Sequence, residues 1–352
     1  MVRWDQGQTL ADRFRRHAGE ATHLYGYAMR GMADDWEAGG PVRAICAGYE
    51  SAPSGSALSL RLLAGVFRLV LTGRAPELVR FYPCLGGRDD PALAWPVLRS
   101  VIATHPEELR VALEVPPQTN EVGRSVALLA GLFDVVAATG VRQVRLLELG
   151  ASAGLNLLLD HFAFSGADWR FGDHASPVQF ADAVSGPVRA ADFAIADRRG
   201  CDLHPVDASS PEGRLLLASF VWPFQVHRHE RLAAALRIAA DHPVVVDQAA
   251  ASAWIGPVLE QTEDGVLPVV WHSITRLYWP PSEVAAVDAV LGGYGQHRPV
   301  ARVAMEFATG DDAPPMPELS STVWSAGQPP RHRRLGTAHD HGPPVRLDPL
   351  SP

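Results

Sequence analysis

The chain has 352 residues, 47% of them hydrophobic, with 31 basic side chains against 39 acidic ones and a formal charge of −8. That balance gives no electrostatic reason to bind a polyphosphate, so no nucleic-acid partner is expected. Every basic residue is arginine, which excludes a P-loop lysine, a Schiff-base lysine and a lysine general base.

The length suggests roughly two domains. Cys46, Cys84 and Cys201 lie far apart with no C-x-x-C pair, so neither a disulfide framework nor a thiolate zinc site is expected. No run approaches 18 consecutive apolar residues, and "MVRWDQGQTLADRFRRH" has no apolar leader segment. The expectation is a cytoplasmic chain with no membrane partner.

From "QTLADRFRRHAGEATHLYGYAMRGMADDW" through "ALSLRLLAGVFRLVLTG" to "ALAWPVLRSVIATHPEELRVAL", apolar residues recur at spacings of three and four. These are amphipathic helices, broken at "EAGGP" and "YESAPSGSA", and they make residues 1–115 a helical subdomain. After "PPQTN", the segment "EVGRSVALLAGLFDVVAATG" reads as a helix closed by Gly140. Strand-like runs follow at 144–149, 243–248, 267–275 and 300–308, with helical stretches "GLNLLLDHFAF", "RHERLAAALRIAADH" and "PSEVAAVDAVLGGYG" between them. Short buried strands alternating with helices predict an α/β domain over 116–352, with a mostly parallel sheet covered on both faces. "LSSTVWSA" and "PVRLDP" flank a Pro-, Arg- and His-rich stretch and predict a closing antiparallel hairpin around a loop.

The segment "VRLLELGASAGLNLLLDHF" carries G-A-S-A-G from Gly150 to Gly154, which satisfies two motifs. As G-x-S-x-G it is a nucleophile elbow with Ser152 attacking, and Asp247 and His272 follow in hydrolase order. Against this, everything before residue 143 reads as helix and no H-G-G-G-like segment exists. As E-x-G-x-x-x-G it is a cofactor loop: Gly150 permits a tight turn, Ser152 and Ala153 are small, Gly154 allows close packing, and Glu148 ends the first strand. A dinucleotide loop prefers G-x-G-x-x-G. S-adenosylmethionine has no pyrophosphate and is cationic at sulfur, and an acidic loop suits it better.

Over about residues 140–310 the sequence resembles class I S-adenosylmethionine-dependent methyltransferases. "LLELGASAG" matches their first motif with Ser152 in place of one glycine, "GCDLHPVD" looks like the acidic end of the second strand, and "HERLAAALRIAADHPVVVDQAA" looks like the following helix and third strand. The resemblance implies a Rossmann-like sheet and S-adenosylmethionine as cofactor, held by Glu148, Gly150, Ser152, Gly154 and Asn156. It also implies that Asp202 takes the ribose and Asp247 the adenine edge. Asp202 lies 52 residues beyond Gly150, against roughly 20 in the usual fingerprint, so an insertion is expected near 165–195. Asp173, 23 residues beyond Gly150, is the competing ribose ligand.

From residue 115 onward the chain also resembles an uncharacterised bacterial family, domain of unknown function 2332. The likeness lies in "QTNEVGRSVAL", "LLELGASAGLNLLLDHF", "GCDLHPVD", "FVWPFQVHRHERLAAAL", "PVVWHSITRLYWP" and "HDHGPPVRL". Phe224, Arg276 and Leu277 depart from the family's pattern, marking places where substrate or activity differs.

"PPQTNEVGRS" gathers Gln118, Asn120, Glu121 and Arg124. Thr119 or Asn120 suits a helix cap, while Asn120 and Arg124 could close over a methionine carboxylate. In "VVWHSITRLYWP" a strand ends at His272 with Tyr278 shortly after; at the fourth strand of a methyltransferase these are the candidate catalytic groups, His272 as a base for an acceptor O–H or N–H. His227/His229 and His339/His341 share an i, i+2 spacing but lack a third ligand, so no metal is expected. The expectation is methyl transfer to a small molecule; a cofactor binder without transfer and a Ser152 hydrolase are the alternatives.

Overall fold

The computed structural model describes residues 8–52, 56–308 and 316–349; the first seven residues and the middle of the "YESAPSGSA" break lie outside them. The chain divides into a helical unit, Val2–Thr119 with Ser210–Glu230, and an α/β unit, Asn120–Ser209 with Arg231–Pro352.

The helical unit contains α1 (Leu10–Ala18), α2 (Leu24–Glu37), α3 (Pro41–Ile45), α4 (Leu58–Leu71), α5 (Trp95–Thr104) and α6 (Pro106–Glu114). Thr9 and Asp12 form a reciprocal capping box on α1, satisfying two amides that a helix start leaves open. The apolar faces of these helices meet in one core that includes Phe14, Met29, Phe67 and Ile102.

In the α/β unit, α7 (Ser125–Thr139) precedes β1 (Gln143–Leu149) and closes at Gly140, which takes the left-handed conformation (φ 72°) a helix terminator needs. The window Val122–Thr139 is long and apolar enough to cross a membrane, but 72% of it is buried inside the protein, as in a core helix. Next come β2 (Ala163–Ser165), β3 (Arg170–Gly172), β4 (Gln179–Ala181), β5 (Val184–Ser185) and β6 (Ala194–Asp202). The expected helix "GLNLLLDHFAF" is not formed. Leu155–His161 is a 3₁₀ run with non-helical angles at Leu158, and Leu155, Asn156, Leu157, Leu158 and Leu159 are all buried. The run ends at His161, after which "AFS" pairs with β3 and β4 in a small three-stranded sheet.

The helix α8 (Pro211–Ser219) belongs to the helical unit, and α9 (Val226–Asp241) begins in it. This return segment, assigned from sequence to the α/β part, has an aromatic reason to fold with the helices: Phe224 stacks on His23 at 4.2 Å and Trp222 lies 5.6 Å from Tyr25. The α/β unit resumes with β7 (Val245–Gln248), α10 (Ala251–Leu259), β8 (Val266–Ser273), α11 (Pro281–Gly295), β9 (Val300–Glu306), β10 (Glu318–Trp324), β11 (Arg331–His339) and β12 (Gly342–Leu347).

The main sheet has nine strands in the order β5-β12-β11-β10-β9-β8-β1-β6-β7. From β7 to β9 all neighbours are parallel, and numbered by chain position these five read 3-2-1-4-5, the order of a doubly wound sheet. The order reverses between β1 and β8. Leu147, Leu149 and Val270 face a core with α10 and α11, and α7 covers the other side, where a Cβ on Gly131 would sit 2.2 Å from Val303 Cγ1. The C-terminal part is a three-stranded antiparallel run rather than a hairpin. The Arg- and His-rich stretch expected as a loop is strand β11, because its charges are neutralised in place: Arg333 pairs with Asp134, Arg334 with Glu318 and Asp348, and His332 bonds Thr322 on β10 at 3.0 Å.

The close approach of α7 to β9 gives a packing test. Gly131→Ala is expected to cost about 1–3 kcal/mol through overpacking, despite alanine's better helix propensity. Combined with Val303→Ala, the loss measured by denaturant unfolding should be smaller than the sum of the two single losses by at least about 0.5 kcal/mol; strict additivity would contradict the contact.

Candidate functional site

The carboxyl ends of β1, β6, β8 and β9 bring most of the singled-out residues together. In open α/β sheets ligands bind outside these ends, where the strand order reverses.

The loop after β1 is clamped from below. Gly150 and Ala151 donate their amides to the Cys201 carbonyl on β6 at 2.8 and 3.0 Å, and the Gly154 amide reaches Ala151 O at 2.7 Å. The Ser152 amide donates to Asp202 Oδ2 at 2.8 Å and the Leu155 amide to Asn120 Oδ1 at 3.0 Å. Gly150, Ser152 and Gly154 all have positive φ (73°, 53° and 73°). Ser152 thus stands in a left-handed position that glycine occupies without strain. A Cβ on Gly150 would meet Thr275 Oγ1 at 2.4 Å, so beyond permitting the turn that glycine makes room for a neighbouring side chain. Gly154 does serve close packing, against Val244 and Val246.

Glu148, near the end of β1, is 2% exposed. Burial pushes its carboxyl up to about 8, opposed by a 3.5 Å hydrogen bond from Asn156 Nδ2. The Trp271 indole, in register with Glu148 on β8, and the Arg124 charge also favour the ionised carboxyl, and Asn156 Oδ1 is buried with no hydrogen-bond partner among the described residues.

Asp202 ends β6 half-buried, accepting the Ser152 amide through one oxygen and the His204 amide through the other, at 2.9 Å. Asp173 is exposed beside the small sheet, where it accepts the Ala175 amide at 2.9 Å; of the two competing acids, only Asp202 ends a strand of the main sheet. The Asp247 carboxylate accepts from Arg199 Nε and Nη2 at 2.7 and 3.0 Å and from Trp254 Nε1 at 2.7 Å, and these donors hold it below its ordinary range. Arg124 donates to the carbonyls of Asp340 (2.9 Å) and Ser273 (3.1 Å). In place of the expected Thr119 or Asn120, Glu121 caps this turn by accepting the Gly123 amide at 3.0 Å.

His272 is 1% exposed at the end of β8, its Nδ1 2.8 Å from Glu306 Oε1. Tyr278 is 53% exposed on a 3₁₀ turn beyond it. Ile274, between them, has φ 49°, a position disfavoured for a β-branched residue. Glu306 was missed by sequence reading; the available signal was an acid at the end of the neighbouring strand-like run. His227 and His229 lie on helix α9, where i, i+2 residues do not share a face. His339 and His341 flank a turn, each contacting Asp340. Among the described residues no cluster of three or more His, Cys, Asp or Glu is placed to hold a metal ion. Burial pushes the thiols of Cys46 and Cys201 up to about 12 and that of Cys84 to about 11, which removes their nucleophilic form at neutral pH.

The chain belongs to a family described as an uncharacterized protein conserved in bacteria (DUF2332), whose model matches residues 8–346. No curated protein and no solved structure matches it.

The raised Glu148 carboxyl has a stability consequence. The unfolded chain releases this proton near pH 4.5 while the folded protein keeps it to about pH 8. Unfolding is therefore favoured progressively as pH rises between those values. Glu148→Gln should be nearly neutral at pH 4.5 and more stable than wild type by up to about 4–5 kcal/mol above pH 8. A pH-independent difference in unfolding free energy would show that Glu148 ionises freely in the fold.

Proposed function

We propose that this family member binds S-adenosylmethionine at the carboxyl edge of β1, β6 and β8 and methylates a small-molecule acceptor. The observation carrying this reading is the buried pair beneath the β1 loop, the Glu148 carboxyl and Asn156, set at the carboxyl edge where the strand order reverses, with Asn156 Oδ1 left without a partner. A buried polar atom without a partner calls for an explanation, and an ammonium group is complementary to Asn156 Oδ1 and to the Glu148 carboxyl, which gives up its proton when a cation is brought beside it. Because these atoms are closed to solvent, admission of a ligand requires the loop to shift.

The loop favours this class over a dinucleotide. Its amides at Gly150, Ala151, Ser152, Gly154 and Leu155 are committed within the protein, and a 3₁₀ run follows in place of an α-helix. A pyrophosphate would need both free amides and a helix N-terminus; a nucleoside with a cationic sulfur needs neither. Asp202 holds the loop with two of its roughly four acceptor positions, leaving the others for ribose hydroxyls. We leave Asp247 out of the ligand set because three donors already take most of its roughly four acceptor positions and Arg199 neutralises its charge. The cofactor supplies an electrophilic methyl group. The protein orients the acceptor, and His272 takes the proton that an O–H or N–H acceptor must lose.

Calorimetric titration with S-adenosylmethionine and S-adenosylhomocysteine tests this. Asp202→Ala should weaken binding by about 1.5–3 kcal/mol, the scale of a hydrogen bond to a charged group, and Asp173→Ala by less. Ser152→Gly should retain binding while raising stability by about 1 kcal/mol, since it relieves the left-handed strain. Absence of binding by the wild-type protein, or covalent labelling of Ser152 by a fluorophosphonate, would remove the methyltransferase reading.

A further inference from the structure

We infer that Glu306 is a positioning residue that fixes His272 with its proton on Nδ1, leaving Nε2 as the atom that deprotonates a hydroxyl or amine acceptor. The proton-transfer step rests on the methyl-transfer reading, whereas the assignment of the ring proton is a property of the protein alone.

The backbone brings the pair together. β8 and β9 are parallel neighbours in the register His272 to Ala304, so Glu306 lies two residues further along, on the same face as Ala304. Its side chain reaches back to His272 Nδ1 at 2.8 Å. The amide of Thr275 donates to Glu306 Oε1 at 3.2 Å, and that of Arg276 to Oε1 and Oε2 at 3.4 and 3.3 Å. A carboxylate facing backbone donors serves them as an acceptor, so the hydrogen shared with the ring belongs to Nδ1. An imidazole whose Nδ1–H is donated to a carboxylate presents Nε2 as its basic nitrogen.

In the step this prepares, the acceptor's O–H or N–H bond breaks and its proton goes to Nε2. The electron pair left on oxygen or nitrogen forms the bond to the methyl carbon, whose bond to sulfur breaks with its electrons going to sulfur. The imidazolium formed stands against the Glu306 carboxylate, so the pair ends without net charge. An acceptor with no proton to lose would gain nothing from this arrangement, which points to hydroxyl- or amine-bearing small molecules.

The test is the ring's tautomer in protein labelled with ¹⁵N-histidine, read from two-bond ¹H–¹⁵N spectra at pH 8, with the His272 signals identified by their loss in His272→Gln. Wild type should show Nδ1–H and an unprotonated Nε2. Glu306→Gln, whose amide oxygen can still accept, should keep that tautomer, and Glu306→Leu should shift the ratio toward Nε2–H by at least tenfold. Glu306→Gln should also bind S-adenosylhomocysteine within twofold of wild type, since it acts on the acceptor side. A wild-type ring protonated on Nε2, or an unchanged tautomer in Glu306→Leu, would reduce Glu306 to a clamp on the loop after β8 and overturn the inference. Loss of cofactor binding in Glu306→Gln would overturn it too. The wild-type spectrum decides the ring proton even if Glu306→Leu folds poorly, and failure of the protein to bind either nucleoside would leave the tautomer result standing.

Discussion

The hydrogen bonds that tie the loop after β1 to the end of β6 set the terms for everything at the sheet's carboxyl edge. One carbonyl, that of Cys201, takes the amides of Gly150 and Ala151, and one carboxylate, that of Asp202, takes the amide of Ser152. The approach depends on Gly200, where a Cβ would meet the Ala151 Cβ at 2.6 Å. With the amides of Gly150, Ala151, Ser152, Gly154 and Leu155 spent internally, the loop offers little of the donor array that a phosphate nest needs. The side chains beside it include the Glu148 and Asp202 carboxyls and the Asn120 and Asn156 amides, with the Arg124 charge acting on Glu148.

Two of the four described non-glycine residues with positive φ, the others being Ala57 and Asp182, lie at this edge. Ser152 and Ile274 have positive φ in the connections that leave β1 and β8, the two strands between which the sheet order reverses. A non-glycine residue held there costs on the order of 1–3 kcal/mol and persists only when its surroundings over-determine it. The Ser152 carbonyl accepts the Val206 amide at 3.0 Å, and the Ile274 amide donates to Met305 O at 2.9 Å. Each turn is thus fastened to a neighbouring strand's connection or end, and the side chains that follow, Thr275 among them, are delivered to the edge with little freedom.

Much of this was legible in the sequence wherever a local rule and the tertiary context agreed. The apolar periodicity of the N-terminal helices, the Gly140 terminator and the four principal strand-like runs of the α/β part reflect burial patterns that short windows carry. The 3₁₀ run at Leu155–His161 was not legible, because its four leucines and one asparagine fit a buried α-helix equally well, and what ends the run is the pairing of "AFS" with strands distant in sequence. Strand β11 was misread since its arginines look like a solvated loop until Asp134, Glu318 and Asp348 are found beside them. Glu148 and His272 were legible as strand-end groups, while Asn156 and Asp202 were named only through the methyltransferase resemblance. Glu306 was not legible: its significance depends on the register of β9 against β8, and no window of one strand contains that information.

The cost of burying Glu148 bears on what the site accommodates. A carboxyl closed off from water is held in its neutral form well above the ordinary carboxylate range, and such a group destabilises the fold at neutral pH relative to an apolar or amide side chain. A cationic group brought within hydrogen-bond distance would reverse the balance, since an opposite charge favours ionisation more strongly where the dielectric is low. Part of the free energy withheld in folding would then return on binding, together with release of a proton. A neutral ligand could only exchange hydrogen bonds with the protonated carboxyl, so the charge state of Glu148 responds chiefly to the positive charge brought beside it.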